Sequence, residues 1–393
     1  MAWQDLFPGV AESEWRDWRW QHRNALRTAA DLARRVRLTG AERRGLELAE
    51  GRFRVAVTPY YMSLVDPDHP FCPVRMQAIP VAAEGDAAPG DLRDPIGEEP
   101  HRPTRAVVHK YGDRALFLAV DRCSVYCRHC TRRRITFEEG EGFDRAAVEE
   151  GLAYVRAHAE VRDVIVSGGD PLVLSDERLG EILAGLRAIP HVQILRVATR
   201  APVTCPMRVT PAVAAMLRSF APLFVVTHFN HPKELTADAR EACERLVDAG
   251  VPVENQSVLL RRVNSSARTI VALNEALLTA RVRPYYLHQG DLAEGTGHLR
   301  TPVEAGIAIL EAMRGRTSGL AIPHLAVDLP GGGGKVTLQP SWHEGRVEGG
   351  HRFRNWRGET FLYPDPPESD VSCPYDEVWF GSGRRDAGQA PQA

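Results

Sequence analysis

The chain has 393 residues, of which 44% are apolar and 25% charged, and its 49 lysines and arginines nearly balance 51 aspartates and glutamates, for a formal net charge of −2. This composition excludes a disordered chain and a globally basic nucleic-acid binder, and no apolar run reaches the roughly 18 residues that a membrane-spanning helix needs. Because the N-terminus lacks a secretory signal and the seven cysteines do not form a disulfide framework, we expect a soluble, cytoplasmic, globular protein with no nucleic-acid or membrane partner.

Residues 1–105 are predicted to form an N-terminal helical extension. Apolar residues recur at helical spacing through about residue 49, and residues 14–24 are dense in tryptophan and arginine. The interleaved acidic residues favour a helix that packs on a neighbouring element or subunit over a nucleic-acid patch. Residues 83–103 are rich in proline and acidic side chains and have no periodicity, which predicts a surface loop or linker.

Residues 106–335 are predicted to form an α/β core, a partial (βα)6-type barrel. Short β-rich runs alternate with segments of helical periodicity; the predicted strands are residues 115–120, 164–166, 194–197, 223–226, 251–260, 282–287 and 321–327. Such βα units imply a parallel sheet whose functional site lies at the carboxyl ends of the strands. Residues 336–393 are predicted to form a C-terminal segment whose last ten residues are disordered.

Three boundaries of the core helices are predicted from capping residues. Thr210 followed by Pro211 predicts the start of one helix. Thr301 and Glu304 have the spacing of a capping box at the start of another. Gly250 predicts the end of a helix that begins near residue 236.

The strongest chemical signal follows the first strand of the core, where the chain reads Cys123-Ser-Val-Tyr-Cys127-Arg-His-Cys130. Three thiolates at this spacing can bind one face of a cuboidal iron–sulfur cluster from a single loop and leave one iron open. Zinc is the competing metal, but a structural zinc site usually has two closely spaced pairs of cysteine or histidine ligands. The nearby candidate for a fourth ligand, His129, lies inside the loop. The spacing resembles that of the radical S-adenosylmethionine (SAM) family. This resemblance implies a [4Fe–4S] cluster on Cys123, Cys127 and Cys130, with SAM bound to the open iron.

The next strand ends in Ser167-Gly168-Gly169-Asp170. This sequence resembles the motif with which the radical SAM family binds the amino group of SAM. Glycines let the backbone approach a ligand closely, and an anionic side chain can meet an ammonium. Gly-Gly-Asp is by itself a common turn. Its position after a strand, behind the cysteine loop, leads us to predict that Gly168, Gly169 and Asp170 bind SAM.

The second signal is a lysine behind four glycines, in Asp328-Leu-Pro-Gly331-Gly-Gly-Gly-Lys335. A Walker phosphate loop needs a glycine six residues before the lysine and a serine or threonine after it, but these positions hold Leu329 and Val336. A flexible linker is one remaining interpretation. The one we favour is a lysine whose amine forms a Schiff base with pyridoxal phosphate (PLP), on a backbone that can approach the ring.

Together the two signals resemble one family, the lysine 2,3-aminomutases, which combine radical SAM chemistry with PLP. The likeness runs from about Leu6 to Pro340. Beside the motifs above, it includes Trp15-Arg-Asp-Trp-Arg-Trp-Gln, Pro59-Tyr-Tyr-Met-Ser-Leu, Thr227-His-Phe-Asn-His-Pro, Asn255-Gln-Ser-Val-Leu-Leu and Arg283-Pro-Tyr-Tyr. Relatives that modify a lysine of a translation factor generally lack such a long N-terminal extension, which favours a free amino acid as the substrate.

The resemblance implies roles for individual residues. Lys335 matches the lysine that binds PLP. Arg132, two residues after Cys130, matches the arginine that pairs with the substrate carboxylate, a task that suits a bidentate guanidinium. Asp291 and Asp328 match the two aspartates that hold the distal ammonium of lysine, a pair that a glutamate-specific relative is expected to lack.

Further contacts are predicted from position. Arg114, at the strand before the cysteine loop, is predicted to contact the PLP phosphate, and Lys110 is a second candidate for that contact. His228, Gln256 and Ser257 follow later strands and are predicted to contact SAM or PLP, with His228 and Gln256 assigned to SAM.

The chain departs from the family pattern in two places. Some members bind a structural zinc through C-terminal cysteines and one core cysteine, but here Ser265 and Ser266 occupy the core position and the tail offers Cys373 alone. We therefore predict no structural zinc, which puts in doubt the tetramer that those cysteines reinforce. The second departure is Leu287-His288-Gln289-Gly290, where relatives more usually have an aromatic residue and then a cysteine before the substrate aspartate, and these positions could tune substrate choice.

The sequence thus predicts an isomerase that converts L-lysine to L-β-lysine (3,6-diaminohexanoate), with a low-potential electron donor as partner and a homo-oligomeric assembly. An arginine 2,3-aminomutase that gives β-arginine is the alternative, because two carboxylates also hold a guanidinium well. A third interpretation, an electron-carrying iron–sulfur protein without chemistry of its own, predicts a cluster but no PLP.

Overall fold

The structure, a computed structural model, describes residues 3–50, 53–136 and 142–365, together with Tyr375 and Val378. The chain divides into two compact units, Met1–Pro340 and Ser341–Ala393. The predicted domain boundaries after residues 105 and 335 stay predictions, and the predicted disordered tail lies outside the described residues.

The first unit begins with short helices, α1 Trp3–Leu6, α2 Glu12–Trp15, α3 Trp18–Arg23, α4 Ala29–Ala33, α5 Gly40–Ala49, α6 Pro59–Ser63 and α7 Pro73–Ala78. The N-caps Thr28, Thr39 and Thr58 each accept a hydrogen bond from a backbone N–H of the first turn. Trp15 is buried and stacks on Trp3 with 4.3 Å between ring centroids, as expected of a helix that packs on a neighbouring element. Buried side chains of these helices and of strands β1 to β6, whose ranges follow, share one hydrophobic cluster.

The central sheet has nine strands in the order of the chain. They are β1 Val107–Tyr111, β2 Arg114–Val120, β3 Asp163–Gly168, β4 Ile194–Ala198, β5 Leu223–Thr227, β6 Val253–Leu259, β7 Arg283–Gln289, β8 His324–Leu329 and β9 Gly334–Leu338. Strands β2 to β8 are parallel, and β1 and β9 pair antiparallel at the two edges. Each of the seven predicted strands corresponds to one parallel strand. The α/β class and the partial barrel of six βα units are therefore confirmed.

The remaining helices lie between the strands; they are α8 Arg133–Thr136, α9 Arg145–Ala157, α10 Asp176–Arg187, α11 Ala201–Thr204, α12 Pro211–Ser219, α13 Ala237–Asp248, α14 Ala267–Thr279 and α15 Val303–Met313. None of the described helices is long and apolar enough to cross a membrane. Consecutive parallel strands need such crossovers, and their carboxyl ends meet at one edge of the sheet.

Two of the three predicted helix boundaries are confirmed and one is wrong. Thr210 caps α12, with Pro211 in its first turn. Gly250 follows the end of α13 with φ +86°, the left-handed conformation that favours glycine. The predicted capping box at Thr301 does not form, since α15 begins at Val303 without a side-chain cap. The Thr301 carbonyl and hydroxyl instead accept hydrogen bonds from the side-chain amide of Gln289.

The segment predicted as a surface loop, residues 83–103, has no strand or α-helix, but it is not merely a surface connection. Glu84 and Glu98 within it are buried, and each pairs with arginines in or directly after the cysteine loop, as described below. Because a buried carboxylate needs such partners, this segment is part of the support of the site.

The second unit contains a three-stranded antiparallel sheet, β10 His343–Val347, β11 Gly350–Arg354 and β12 Thr360–Tyr363. His351 lies between His343 and Asp365 in this unit, with hydrogen bonds of 2.7 and 3.0 Å. Cys373 lies outside the described residues.

Candidate active site

The cysteine loop follows the carboxyl end of β2, as the barrel geometry predicts. The thiols of Cys123 and Cys130 are partly buried, and this burial raises the pKa of both. The charge of Asp170 adds to the effect on Cys123, and Cys127 adds to the effect on Cys130. A thiolate is the form that binds metal, so these thiols need a positively charged partner to ionise. Among the described residues no three His, Cys, Asp or Glu side chains are grouped to hold one metal ion. A cuboidal cluster does not require such a group, since each thiolate binds a different iron.

Two buried carboxylates hold the arginines of this loop. Glu84 pairs with Arg128, which lies between the second and third cysteines, and with Arg133. Burial alone would raise the pKa of Glu84, but the two guanidinium groups hold it below its usual value. Glu98 pairs with Arg132 and Arg134. The basic run after the third cysteine is therefore not a solvated patch.

The predicted SAM motif packs its backbone against the start of the cysteine loop. A Cβ on Gly168, whose φ is +110°, would lie 2.3 Å from the carbonyl oxygen of Val120, and one on Gly169 would lie 2.3 Å from that of Arg122. The N–H groups of Gly169 and Asp170 donate to these two carbonyls at 2.6 and 2.9 Å. The glycines are thus required by a backbone approach between β3 and the cysteine loop.

The carboxylate of Asp170 accepts hydrogen bonds from neighbouring groups of the protein. One oxygen accepts from the Leu172 N–H and the Thr199 hydroxyl, and the other accepts from the N–H of Arg200 at 2.9 Å. These bonds tie the end of β3 to the end of β4. Its predicted contact with the SAM ammonium stays a prediction.

Arg200, which the sequence analysis missed, lies after β4 and reaches the cysteine loop. Its Nη1 donates to Sγ of Cys127 at 2.7 Å, and its Nε donates to the carbonyl of His228 at 3.1 Å. The predicted SAM residue His228 and the loop residue His129 have ring centroids 5.4 Å apart. Within the described part of the chain, Nε2 of His228 and Nδ1 of His129 are buried without a hydrogen-bond partner. Two unpartnered polar atoms beside the cysteines fit a polar ligand such as SAM.

The lysine hairpin joins β8 and β9 and places Lys335 directly across from Asp328. Positive φ angles at Gly331 and Gly334, +66° and +84°, allow this tight reversal. Nζ of Lys335 lies 2.5 Å from Oδ2 of Asp328 and 3.3 Å from Nδ1 of His288. Burial and the charge of Lys335 lower the pKa of His288 to about 3, so this ring is neutral and can accept a hydrogen bond.

Asp291 lies next to the cysteine loop, where it feels the charges of the lysine hairpin. Its carboxylate accepts a hydrogen bond from the hydroxyl of Thr131, the residue after the third cysteine. Burial raises the pKa of Asp291 to about 6, and the charge of Asp328 acts in the same direction while Lys335 and Arg132 oppose it. The residues predicted to bind the cluster, the substrate and PLP thus converge on one region of the barrel edge.

The predicted phosphate contacts flank Tyr111, a second residue that the sequence analysis missed. Lys110 and Arg114 lie 5.8 and 5.4 Å from the Tyr111 ring centroid. Burial and the charge of Asp328 raise the pKa of the Tyr111 hydroxyl, and the backbone N–H of Lys335 acts to lower it. Lys110 also donates to the carbonyl of Ile96, and Arg114 pairs with Asp113. Two cations beside the lysine hairpin fit a phosphate-bearing group.

Gln256 and Ser257, the two remaining predicted contacts, have different hydrogen-bond partners. The side-chain oxygen of Gln256 lies 3.4 Å from Nε2 of His288, which links a predicted SAM residue to the lysine hairpin. The hydroxyl of Ser257 is buried and donates to the carbonyl of Phe229 at 2.7 Å. Ser257 therefore braces the segment that follows β5.

Comparison with known proteins identifies the family. Residues 118–272 match the family model described as "Radical SAM superfamily", and residues 310–382 match "Lysine-2,3-aminomutase". The chain is 44% identical over 372 residues to the L-lysine 2,3-aminomutase of Clostridium subterminale, an alignment that covers 95% of this chain and 89% of that protein. The chain belongs to the lysine 2,3-aminomutase family of radical SAM enzymes.

Other members of this family differ in the substrate that their names give. The L-lysine 2,3-aminomutase of Bacillus subtilis is 44% identical over 92% of this chain and 77% of its own length. The glutamate 2,3-aminomutase of Clostridioides difficile is 39% identical over 92% of this chain and 85% of its own length. Membership in the family makes this protein a radical SAM isomerase and implies a [4Fe–4S] cluster and SAM.

Proposed function

We propose that the protein interconverts L-lysine and L-β-lysine by moving the amino group between C2 and C3. When bound, the cluster and SAM at Cys123, Cys127 and Cys130 supply a 5′-deoxyadenosyl radical, and PLP at Lys335 supplies an electrophilic carbonyl and a π-system that stabilises an unpaired electron. The relatives named L-lysine 2,3-aminomutase support this proposal.

The observation that carries the choice of a cationic substrate over glutamate is the convergence of Asp291 and Asp328, and the names of the relatives favour lysine over arginine. Asp328 already holds an ammonium, that of Lys335, at 2.5 Å. Burial, with a contribution from the negative charge of Asp328, raises the pKa of Asp291 to about 6, although Lys335 and Arg132 act to lower it. The distal ammonium of a substrate would offset this burial by placing a further positive charge beside Asp291. The carboxylate of a glutamate side chain would instead add a third negative group, which burial penalises strongly.

The chain's own residues also suit the other end of the substrate. Arg132 lies near Asp291 and near the cysteine loop, and Glu98 fixes its guanidinium through Nε and Nη2. We infer that the rest of the guanidinium receives the α-carboxylate. Nδ1 of neutral His288 accepts a hydrogen bond from Nζ of Lys335, so the imidazole helps to orient the Lys335 amine.

The test is an anaerobic assay of the reconstituted holoenzyme with L-lysine, L-arginine or L-glutamate, SAM and dithionite, in which NMR detects the 3-amino isomer. We expect lysine to give the highest kcat/KM. Faster turnover of arginine or glutamate would overturn the substrate assignment. A protein that holds a cluster but shows no PLP absorbance, with Lys335→Ala unchanged, would be the electron carrier instead.

The variant Asp291→Asn tests directly whether Asp291 binds the distal ammonium of the substrate. Loss of one charged contact to the ammonium, about 3 kcal/mol, lowers kcat/KM for lysine by about 100-fold. Asp248→Asn is the matched control, since Asp248 is exposed and pairs with Arg281 at the surface. Equal lysine kinetics in Asp291→Asn and the control would contradict a role in ammonium binding.

A further inference from the structure

Arg200 places a buried positive charge against one of the cysteines of the loop. Its Nη1 lies 2.7 Å from Sγ of Cys127, a short distance for a bond to sulfur. By comparison, the hydroxyl of Thr136 lies 3.8 Å from Sγ of Cys130. A charged donor at this distance makes a stronger hydrogen bond than a neutral one.

The guanidinium is held in place by a buried polar network. Its Nη2 donates to Oε1 of Glu234 at 2.8 Å, to the side-chain oxygen of Gln77 at 2.7 Å and to the Tyr61 hydroxyl at 3.0 Å. Glu234 is itself fully buried and accepts from the backbone N–H of Asn230. A guanidinium stays protonated at any ordinary pH, and the network fixes the direction of this donor.

We propose that Arg200 is a positioning residue that sets the reduction potential of the cluster through its hydrogen bond to Cys127. The inference rests on the proposed ligation of the cluster by Cys127. The step is the one-electron reduction of [4Fe–4S]2+ to [4Fe–4S]+ by a low-potential donor, and no bond to Arg200 forms or breaks. A cationic donor to a ligand sulfur stabilises the more negative reduced state, so it raises the potential.

The network predicts that two substitutions shift the reduction potential of the cluster in opposite directions. Arg200→Gln removes the positive charge near the sulfur, so the potential falls. Glu234→Gln leaves that charge without its counter-ion, so the potential rises. Tyr61→Phe is the control, because it removes a hydrogen bond of the same network without changing any charge. A purely structural role for Arg200 would not give shifts of opposite sign.

The experiment is a dithionite titration of the reconstituted full-length protein, followed by EPR, without SAM or substrate. Circular dichroism and iron and sulfide content are measured first. At the wild-type midpoint we expect the ratio of reduced to oxidised cluster to fall about tenfold in Arg200→Gln, a shift of about 59 mV for one electron. The ratio rises in Glu234→Gln and stays within about twofold in Tyr61→Phe. Unchanged midpoints, or shifts of one sign in both charge variants, would overturn the proposal.

If the variants do not fold, a measurement on the wild-type protein tests the contact between Arg200 and the cluster. With 15N-labelled arginine, pulsed EPR of the reduced cluster should show a coupling to an arginine nitrogen, and its absence would overturn the proposal. Failure of the proposed ligation looks different, because a Cys127→Ala protein would then keep its full iron content and its EPR signal, and failure of the proposed function would appear as absent lysine turnover with the potentials shifted as expected.

Discussion

Arg132 and Glu98, which are 34 residues apart in the chain, form an ion pair in which Nε and Nη2 lie 2.9 and 2.8 Å from one carboxylate oxygen. The carboxylate is nearly inaccessible, whereas about a quarter of the Arg132 side chain is exposed. Glu98 therefore fixes the orientation of Arg132 from behind and leaves its accessible part for a ligand. A segment that resembled a linker in sequence thus orients a predicted substrate contact.

Replacing Glu98 tests this orienting role. In Glu98→Gln we expect KM for lysine to rise about tenfold, since about 1.4 kcal/mol of positioning is lost, with a smaller change in kcat. Glu99→Gln is the control, because the Glu99 side chain is 60% exposed and lies 3.6 Å from Arg134. Steady-state kinetics measure both, and an unchanged KM in Glu98→Gln would contradict the role.

Glu84 is expected to be essential for the stability of the cysteine loop. In Glu84→Ala two guanidinium groups lose their buried counter-ion, which costs about 3–5 kcal/mol. Urea unfolding of the protein without cluster measures this loss, and iron content after reconstitution should fall with it. Asp86→Ala, at an exposed neighbouring position, should change neither quantity. Equal stability of the two variants would show that the pair contributes little.

The raised pKa of Asp291 predicts a pH dependence of lysine binding. Below about pH 6 the carboxyl is protonated and cannot pair with an ammonium, so kcat/KM for lysine should fall about tenfold per pH unit. In Asp291→Asn this limb of the profile should disappear. A wild-type profile that stays flat between pH 5 and 7 would contradict the prediction.

The raised pKa of Asp291 also predicts that the free energy of unfolding falls as the pH rises, opposite to the trend in kcat/KM. The folded pKa of about 6 lies above the usual 3.8, so the folded state binds the proton more tightly and Asp291 destabilises the fold once it ionises. The free energy of unfolding of the wild type relative to Asp291→Asn should fall by about 1 kcal/mol from pH 5 to 7. Denaturation of the protein without cofactors at both pH values measures this difference, and a rise would refute the assigned pKa.

The close approach at Gly169 predicts a steric defect. In Gly169→Ala the new Cβ would meet the carbonyl of Arg122 at 2.3 Å, so β3 and the cysteine loop must separate and iron binding should drop at least about tenfold. Gly180→Ala, inside α10, meets its nearest neighbour at 3.5 Å and should stabilise the helix by up to about 1 kcal/mol. Full iron content in Gly169→Ala would show that the loop can adapt.

His288 is expected to matter through its two hydrogen bonds. His288→Phe keeps an aromatic ring but loses the contacts to Lys335 and Gln256, which should lower kcat for lysine about 10-fold, or about 1–1.5 kcal/mol. His324→Phe, at the exposed start of β8, is the matched control. The rate of product formation measures both, and equal rates would exclude a role for the imidazole.

Several features of the site could be predicted from the sequence because they are local. Three cysteines within eight residues, a Gly-Gly-Asp turn after a strand and a lysine behind four glycines lie close together in the chain, and strand periodicity assigns each to the same edge of a parallel sheet. Lys335, Asp328 and Asp291 do lie together. Their individual roles in binding stay predictions.

Arg200, Tyr111, Glu84 and Glu98 could not be recognised in the same way. Each acts through a partner far along the chain, such as Cys127, 73 residues before Arg200. A single arginine or glutamate in sequence is usually a solvated surface residue, and only its burial against an opposite charge reveals another role. Likewise, the predicted Thr301 cap is absent, and the fold instead brings the side-chain amide of Gln289 within hydrogen-bond distance of the Thr301 carbonyl.

The sequence by itself therefore determined the α/β class, the family resemblance and the chemical groups of the site. The tertiary structure decided which charges neutralise one another, since the energy of a buried ion depends on what the fold places within a few ångströms of it.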